Sequence, residues 1–389
     1  MKIAILGGGV AGVSSAIALK QAGFDVCVYE RHESPSNIGA GIVVWPNAAY
    51  VLEQLGVLNE IKAVSGYPSK MRRISSTNED LGAVDIELIN HHMGYQSLSI
   101  LRKDFQNILM SKLESIGVVI QYTHNVTNIE TKQPGMAQVQ FQNGTKVDAD
   151  VVIGADGRMA SYARRYVNND NAPVYQKFIN WIGVYESEEE SFDEISVSDY
   201  WGVGERFGIV PVTKSKAYWA GAVACAEVGL RNPSEYKAEL RAIFSTWPRA
   251  VQRMIERTPV DRINKIYVHD HNPIGTWHKN NLIVVGDAAH APLPTSGQGA
   301  CQALEDAWHL TQCLKESPQD IQGAFIKFTK MRLDKTTNII MAARGFASSL
   351  FNRDKDFCKA RDENSKKTDF SKMASAMSHG WAQGLPLNA

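Results

Sequence analysis

The first thirty residues alternate apolar runs with a glycine-rich turn, an arrangement that leaves few folds open. Lys2–Leu6 is an apolar run too short for a helix, and it ends at a turn of sequence GGGVAG. A segment with helical spacing follows over Val13–Ala22, and Val26–Tyr29 is a second apolar run that is closed by Glu30. This order of strand, turn, helix and strand predicts a βαβ unit of a parallel sheet.

The turn fits the pattern G-x-G-x-x-G, with glycines at Gly7, Gly9 and Gly12. The first glycine permits the tight turn, the second lets the backbone approach a pyrophosphate, and the third lets the helix pack close to the strand. Free N–H groups at the helix start then bind the phosphates. Glu30 accepts hydrogen bonds from a ribose 2′-hydroxyl and repels a 2′-phosphate. We therefore predict a dinucleotide without a 2′-phosphate, and a glycine-rich turn without ligand is the alternative.

The chain has 389 residues, with 41 acidic and 41 basic side chains. This balance gives no indication of a nucleic-acid-binding surface, and no apolar run reaches the length of a membrane span. Five scattered cysteines without a C-x-x-C pair indicate reduced thiols. Histidines at 91–92 and at 269 and 271 lack further ligands at metal-binding spacing, so no metal site is predicted. We expect a cytoplasmic protein with no nucleic-acid partner and no stable membrane association.

Several strands are predicted between Val174 and Cys225, where helix signals are few. They cover Phe178–Tyr185, Ile195–Trp201, Arg206–Val212 and Ala217–Ala224. Upstream, Met71–Ser76 and Ala83–Leu88 also have the composition of strands. This strand-rich region predicts a sheet-based second domain that is inserted within the first.

A second strand-to-loop motif lies near residue 287. The buried-type strand over residues 281–285 is followed by Gly286 and Asp287, and a loop then leads to a helix from Cys301. Asp287 can accept hydrogen bonds from ribityl hydroxyls, and residues 297–299 can present N–H groups to the N1–C2=O edge of a flavin. NAD needs only the first motif, whereas FAD is longer and needs both. We interpret the two motifs as the two ends of one FAD site, and a plain helix-start loop is the alternative for the second.

Six segments together carry a family resemblance. They are the opening turn with Glu30, Arg102 before a helix, GADG at 154–157, GDAAH at 286–290, GQG at 297–299 and EDA at 305–307. In this order they resemble the single-component (class A) FAD-dependent aromatic monooxygenases, over about residues 1–345. Within that family, the chain looks most similar to the FAD-dependent urate hydroxylase and salicylate hydroxylase-like group.

The resemblance implies an α/β fold with a Rossmann-like FAD-binding domain, an inserted β-sheet substrate domain and C-terminal helices, the aromatic hydroxylase fold. We expect these three parts at residues 1–70, 98–170 and 270–320, at residues 71–97 and 171–269, and at residues 321–389, respectively. Within the last part, Asn352–Lys372 is rich in charge, and we predict that it is loosely attached.

The implied activity is hydroxylation of a small planar aromatic or N-heterocyclic substrate. FAD would be bound tightly but non-covalently, NAD(P)H would be a transient co-substrate, and O2 would react through a flavin C4a-hydroperoxide. The resemblance is compatible with a monomer or a homodimer. Two alternatives stay open: an epoxidase or polyketide/antibiotic hydroxylase of the same family, and a flavoprotein that oxidises NAD(P)H without hydroxylating.

The resemblance also assigns roles to individual residues. Arg206 and Tyr218, on adjacent predicted strands, match substrate-contacting positions, with a purely structural role as the alternative; Pro292 would line the flavin edge. FAD contacts are implied for Gly7, Gly9, Ala11, Gly12, Glu30, Arg31, Val43, Arg102, Val126, Asp156, Asp287, Pro294, Gly297, Gln298, Gly299, Ala300 and Cys301. Ser161 and Arg164 stand one residue later than the family pattern, so the residues that contact nicotinamide or pyrophosphate there stay open.

Overall fold

The structure is a computed structural model, and it describes residues 1–35, 39–133 and 135–388. Its strands are β1 Lys2–Leu6, β2 Asp25–Tyr29, β3 Gly41–Val44, β4 Lys70–Ser75, β5 Asp80–Asp85, β6 Leu98–Leu101, β7 Ile120–Gln121, β8 Val126–Gln133, β9 Met136–Phe141, β10 Lys146–Ala149, β11 Val151–Gly154, β12 Val174–Glu186, β13 Val197–Trp201, β14 Glu205–Pro211, β15 Lys216–Ala224, β16 Ile263–Asp270, β17 His278–Lys279 and β18 Leu282–Val284. Its α-helices are α1 Val10–Gln21, α2 Pro46–Gln54, α3 Leu58–Ala63, α4 Ile86–Met93, α5 Arg102–Ser115, α6 Tyr162–Asn168, α7 Tyr236–Phe244, α8 Arg249–Arg257, α9 Asp287–His290, α10 Gly299–Glu316, α11 Ile321–Leu350, α12 Lys355–Lys366 and α13 Phe370–Ala382.

A six-stranded sheet of order β17-β18-β11-β1-β2-β7 carries the opening βαβ unit. β1 pairs in parallel with both β2 and β11, and β18 pairs in parallel with β11. Strands that are far apart in the chain therefore end at one edge of the sheet. At that edge β1 is followed by Gly7, β11 by Ala155 and β18 by the segment with Asp287, so the two predicted motifs lie side by side.

A seven-stranded sheet of order β16-β12-β15-β14-β13-β4-β5 forms the second layer. Its strands are antiparallel except that β4 runs parallel to β13. Helices α7 and α8 cover one face, where Trp181, Phe207, Trp219 and Phe244 form a buried aromatic core. We call this the back face. The predicted fold class, a Rossmann-like FAD-binding layer combined with a β-sheet layer and C-terminal helices, is confirmed.

The prediction of a strand over Ala83–Leu88 is wrong for its second half. β5 ends at Asp85, whose carboxylate accepts hydrogen bonds from the backbone N–H groups of Glu87 and Leu88 at 2.9 and 3.3 Å. This side-chain cap satisfies free donors of the first helical turn, so the chain turns into α4. The apolar alternation of a strand and the start of an amphipathic helix are not distinguishable over so few residues.

The prediction that Asn352–Lys372 is loosely attached is also wrong. The segment forms α12 and the start of α13, and both helices pack against β5. Ser365 is buried and its hydroxyl donates to the Leu81 carbonyl at 2.9 Å. The Phe370 ring lies against Gly82, where φ is +101° and a Cβ atom would overlap the ring. The charged side chains lie mainly on the solvent side of these helices. Because they are so numerous, the sequence gives little sign of the few residues that pack against β5.

Helices α10 and α11 are joined by a cluster of buried charges. Glu305 and Asp306 are fully buried, and both form ion pairs with Arg332, whose Nε lies 2.8 Å from Asp306. Lys335 lies 2.8 Å from Glu305. Burial opposes the charged form of Glu305, but Arg332 and Lys335 hold the pKa of this carboxyl below its usual range. The four side chains therefore remain ionised as a compensated group.

This buried charge cluster also reaches the late loop and the last helix. One Asp306 oxygen accepts the backbone N–H of Gly286 at 2.7 Å and lies 2.6 Å from His290 Nε2. Lys335 donates to the Trp381 carbonyl at 2.6 Å, near the end of α13. The C-terminal helix and the loop that follows β18 are thus fixed by the same charges. None of the helices in the described part of the chain is both long enough and apolar enough to cross a membrane.

The buried His309 of α10 predicts a specific pH dependence of stability. Burial, reinforced by Arg332, lowers its pKa to about 4, against about 6.5 in an unfolded chain. Between these values the unfolded state binds more protons, so the free energy of unfolding should fall as the pH decreases from about 6.5 to 4, by about 1.4 kcal/mol per pH unit. Urea unfolding of His309→Gln should show a smaller decrease over this pH range than wild-type protein, because the contribution of His309 is removed.

The control for this measurement is His91→Gln, because His91 is exposed on α4. It should keep the wild-type slope between pH 6.5 and 4. An identical slope in His309→Gln and wild-type protein would show that His309 is not held neutral in the folded state.

Candidate active site

The opening turn is shaped by two glycines that the fold requires and one that faces open space. Gly7 has φ of +114°, and a Cβ atom there would overlap the Ala155 carbonyl oxygen. A Cβ atom at Gly12 would overlap the carbonyl oxygen of Gly7. Gly9, in contrast, has φ of −79°, and a Cβ atom there would meet nothing within 4 Å. The space over Gly9, at the start of α1, suits a phosphate group.

Glu30 lies beside this turn and is held in a fixed position. Its carboxylate accepts the backbone N–H of Gly8 at 2.6 Å, and it lies 2.7 Å from His32 Nδ1. Burial opposes ionisation, but the backbone donors of His32 and Gly8 lower the pKa of Glu30. Its side chain is 12% exposed. An ordered carboxylate therefore stands at the end of β2, where a ribose hydroxyl would bind.

Two further predicted residues lie near this end of the site. Arg31 donates to the Ala160 carbonyl at 3.2 Å. Val126 begins β8, two residues after His124, whose backbone N–H donates to the Glu30 carbonyl at 2.8 Å. Arg31 is therefore next to Glu30 in the chain, and Val126 is near it through the hydrogen bond between His124 and Glu30.

The late motif touches the opening turn directly. A Cβ atom at Gly286 would lie 2.7 Å from the Cβ atom of Ala11. Asp287 follows as the first residue of α9, with its side chain 43% exposed and 4.0 Å from Arg158 Nη1. Arg102 belongs to the same group of charges: burial lowers its pKa, Asp287 opposes that shift, and Arg158 reinforces it. Two guanidinium groups and one carboxylate thus stand next to the glycine turn.

Arg158 was not predicted from the sequence as a site residue. Its loop is held by three hydrogen bonds in which side chains contact backbone carbonyls. The His271 ring bonds to the Arg158 carbonyl at 2.8 Å, Asn171 donates to the Met159 carbonyl at 3.2 Å, and Arg31 donates to the Ala160 carbonyl at 3.2 Å. The sequence did contain one indication of a role for Arg158. The loop after GADG is one residue longer than the family pattern, and the structure shows that this loop lies beside Asp287.

Asp156 and Arg164 are occupied by contacts within the protein. Asp156 accepts the Ser161 hydroxyl at 2.5 Å and the backbone N–H of Ala163 at 3.0 Å, so its carboxylate caps α6. Burial raises its pKa although these hydrogen bonds act in the opposite direction. Arg164 donates to the Ala288 carbonyl at 3.0 Å, and burial lowers its pKa to about 10. The Asp156 Cα atom lies 3.1 Å from the place that a Cβ atom of Gly7 would take.

The start of α10 meets β3 at the other end of the site. Trp45 donates from Nε1 to the Gly297 carbonyl at 3.1 Å. The thiol of Cys301 points to the Val43 carbonyl at 3.7 Å, and burial raises the pKa of this thiol to about 12. Cys301 is therefore a neutral packing residue rather than a nucleophile.

The prolines and the remaining residues of this loop lie in the same place. A Cβ atom at Gly299 would lie 3.7 Å from Pro292. Pro294 begins the short 3-10 turn Pro294–Ser296, and Ala300 is half-buried in the first turn of α10. The structure thus brings the predicted late-loop residues together against β3, at the opposite end of the group from Glu30.

Two buried polar atoms in this region have no hydrogen-bond partner among the residues that the structure describes. They are Oδ1 of Asn47 and Nε2 of Gln298. The other atoms of the same amides are fixed, because Asn47 Nδ2 donates to Gln298 Oε1 at 2.9 Å and to Glu305 at 2.7 Å. Asn47 Oδ1 is thus an acceptor without a donor, and Gln298 Nε2 is a donor without an acceptor. A buried polar atom without a hydrogen-bond partner lowers the stability of the fold. The edge of a flavin presents both N–H and carbonyl groups, so its chemistry matches this donor and this acceptor.

The face of the seven-stranded sheet that α7 and α8 leave uncovered, which we call the front face, has open space over its centre. Side chains alternate between faces, so Phe207 and Trp219 lie at the back while Gly208, Ala220 and Tyr218 lie at the front. Gly208 and Ala220 stay partly exposed although their strands are central in the sheet. A Cβ atom at Gly208 would meet nothing within 4 Å. We call this space the front cavity.

Tyr218 and Arg206 lie at opposite ends of the front cavity. The Tyr218 ring lies against Gly41 of β3, where a Cβ atom would overlap it. Burial, with Cys301 nearby, raises the pKa of its phenol. Tyr218 pairs with Val210, four positions from Arg206, which is roughly 13 Å along the strand. The structure therefore places Tyr218 at the Cys301 end of the site and Arg206 at the far end of the cavity.

Comparisons with known proteins agree with this geometry. The family model "FAD binding domain" matches residues 1–320. A FAD-dependent urate hydroxylase of Mycolicibacterium vanbaalenii is 31% identical over 350 residues, which are 88% of this chain and 87% of that protein. A 6-hydroxynicotinate 3-monooxygenase of Bordetella bronchiseptica is 26% identical, covering 93% and 95%. The crystal structure of Klebsiella pneumoniae HpxO complexed with FAD and uric acid superimposes with a TM-score of 0.90, at 25% identity and covering 99% and 97%.

The chain belongs to the FAD binding domain family, and within it to the single-component aromatic monooxygenases. It is a FAD-dependent enzyme of the hydroxylase type. The predicted resemblance, the predicted cofactor FAD and the predicted enzyme class are therefore confirmed. The roles of individual residues stay predictions, and the contacts above say where each of them lies.

Proposed function

We propose that the enzyme uses NAD(P)H and O2 to hydroxylate a small planar aromatic or N-heterocyclic substrate in the front cavity. The observation that carries this proposal is the position of Tyr218, which belongs to the front cavity and also packs on Gly41 beside the late loop. A ring in that cavity would therefore lie next to the end of the FAD site formed by Gly297–Cys301.

We propose that one layer of the protein binds FAD and the other binds the substrate. Residues 1–70, 98–170 and 270–320 would hold FAD, with Glu30 at the adenosine ribose and the charges of Arg102, Arg158 and Asp287 along the linker. Residues 71–97 and 171–269 would hold the substrate. Bound FAD supplies the electrons taken from NAD(P)H and the activation of O2.

The protein's own side chains would bind and orient the ring. Tyr218 is neutral because its pKa is raised, so its hydroxyl can donate to, or accept from, a polar ring substituent. Arg206 is oriented by Asp199, whose Oδ1 lies 2.6 Å from Arg206 Nε, and its terminal N–H groups would donate to a substrate acceptor. Val184 pairs with Tyr218 across β12 and β15 and so lies on the front face. Val184 and Pro292 would keep water away from the reacting carbon. The relatives named for urate and hydroxynicotinate support a substrate of this size.

Turnover tests the proposal. FAD-loaded protein with NADH or NADPH, O2 and uric acid or 6-hydroxynicotinate is expected to consume NAD(P)H faster with one of these rings, and to give a product heavier by one oxygen atom, about sixteen mass units. Arg206→Gln is expected to raise KM about tenfold with unchanged FAD content, since one charge-assisted hydrogen bond is lost. Mass spectrometry of the product and steady-state kinetics are the measurements.

Arg262→Gln is the control for Arg206→Gln, because Arg262 forms an exposed surface pair with Glu186. Its KM should match the wild type. Ring-stimulated NAD(P)H consumption that yields only hydrogen peroxide would instead favour the non-hydroxylating flavoprotein. An unchanged KM in Arg206→Gln would remove Arg206 from the cavity.

A further inference from the structure

Asn180 lies on the front face of β12, in a row of residues that crosses the sheet. It pairs with Ala222 of β15, and Ala222 pairs in turn with Arg206 of β14. Residues paired across strands point to the same face of a sheet. Asn180 and Arg206 therefore flank the small Ala222 side chain, roughly 10 Å apart over two strand spacings.

The Asn180 carboxamide is buried but reaches the front cavity. The residue is 8% exposed. Neither atom of its amide has a hydrogen-bond partner within residues 1–35, 39–133 and 135–388, and neither is sealed from solvent. The back of β12 is covered by the aromatic core, and β15 and β16 flank it on both sides. The free space that the amide touches is therefore at the front.

Charged side chains lie on the same face, across the sheet from Asn180. Asp199 is 4% exposed and accepts both Arg206 Nε, at 2.6 Å, and Trp201 Nε1, at 2.9 Å. The guanidinium groups of Arg73 and Arg361 lie 5.0 and 5.3 Å from the Trp201 ring. These charges lie at or beyond Arg206, which is two strands from Asn180, so the hydrogen-bonding group that β12 contributes here is a neutral amide.

We infer that Asn180 is a specificity-determining residue for a ring that carries a lactam edge, an N–H group next to a carbonyl group. A carboxamide presents one donor side and one acceptor side, and it pairs with such an edge through two hydrogen bonds. A phenol offers only one group to this amide. A carboxylate offers two acceptors and no donor, so it can pair only with the N–H side of this amide. This inference rests on the proposed function, and it narrows the substrate to N-heterocyclic lactams.

The test measures binding to the FAD-loaded enzyme without turnover. The probes are 2-pyridone and phenol, two rings of similar size, and the readout is the change in flavin absorbance on titration. We expect wild-type protein to bind 2-pyridone at least tenfold more tightly than phenol, the size expected for one further buried hydrogen bond. In Asn180→Leu, which keeps the volume and removes the amide, the difference between 2-pyridone and phenol should shrink to about twofold, with phenol binding unchanged.

A second variant and a control separate recognition from folding. Asn180→Asp, which has no donor, should also lose the preference for 2-pyridone. Asn264→Leu is the matched control, because Asn264 is exposed on the adjacent strand β16 and should keep the wild-type preference. FAD content and thermal midpoint should be equal in all four proteins.

Two results would overturn the inference: wild-type protein that does not prefer 2-pyridone, or an Asn180→Leu variant that keeps the preference. Failure of the proposed function has a different signature, because it would appear as hydrogen peroxide without hydroxylated product from every ring tried. Binding selectivity is measured without NAD(P)H, so each idea can fail while the other holds.

Discussion

The Gly9→Ala variant is expected to purify with little or no FAD and yet to fold as stably as wild-type apoprotein. The backbone of Gly9 is extended, at φ −79° and ψ −173°, so alanine is tolerated without strain. Its methyl group would meet no protein atom within 4 Å. It would occupy the space over the start of α1 where we place the pyrophosphate. Loss of one or two charge-assisted hydrogen bonds corresponds to a Kd for FAD that is raised roughly 10- to 100-fold.

The measurements are the flavin absorbance of the purified protein, an FAD titration, and the thermal midpoint of the apoprotein. Gly380→Ala is the control, because its methyl group would also meet nothing within 4 Å but lies on α13. Gly7→Ala should behave differently and lose stability as well, since Gly7 has φ of +114° and touches Ala155. Full FAD occupancy in Gly9→Ala would place the cofactor elsewhere.

The Arg332→Met variant is expected to lose about 3–5 kcal/mol of folding free energy, the usual effect of removing one partner from a buried ion pair. Arg332 is 1% exposed, and it compensates both Glu305 and Asp306. Without it, two carboxylates remain buried with Lys335 as the nearest cation. Urea unfolding of the apoprotein at pH 7 measures the change.

Lys327→Met is the matched control on the same helix. Lys327 pairs with Glu316, and both side chains are about half exposed, so the expected loss is much smaller than in Arg332→Met. Equal losses in the two variants would mean that the buried charge cluster contributes no more than a surface pair. A loss in Arg332→Met that disappears in Glu305→Gln/Arg332→Met would show that the Glu305 carboxylate, left without Arg332, causes it.

Much of the first layer could be predicted from the sequence because its signals are local. The glycine pattern at residues 7–12 and the short apolar runs on either side define β1, α1 and β2 within thirty residues. The C-terminal helices were missed for the opposite reason. Their partners, such as Leu81 for Ser365 and Gly82 for Phe370, are about 280 residues away in the chain, and no local pattern reveals such a contact.

The candidate site shows the same limit. The sequence indicated Tyr218 through a resemblance, but its contact with Gly41 depends on how two sheets meet. Arg158 stands in an unremarkable loop and becomes a site residue because that loop lies beside Asp287. The position of the Asn180 amide likewise follows from the sheet, because the aromatic core covers the back face of β12 and leaves Asn180 at the front.

The pairing of β18 with β11 also bears on how the enzyme is made. The segment that we propose completes the FAD site, Gly286 and Asp287, leaves the ribosome long after β1 and α1. A nascent chain shorter than about residue 300 therefore presents an open sheet edge and, on this proposal, half a site. Flavin would then find its complete site only after β18 has paired with β11, so it would act on the last steps of folding rather than on the first.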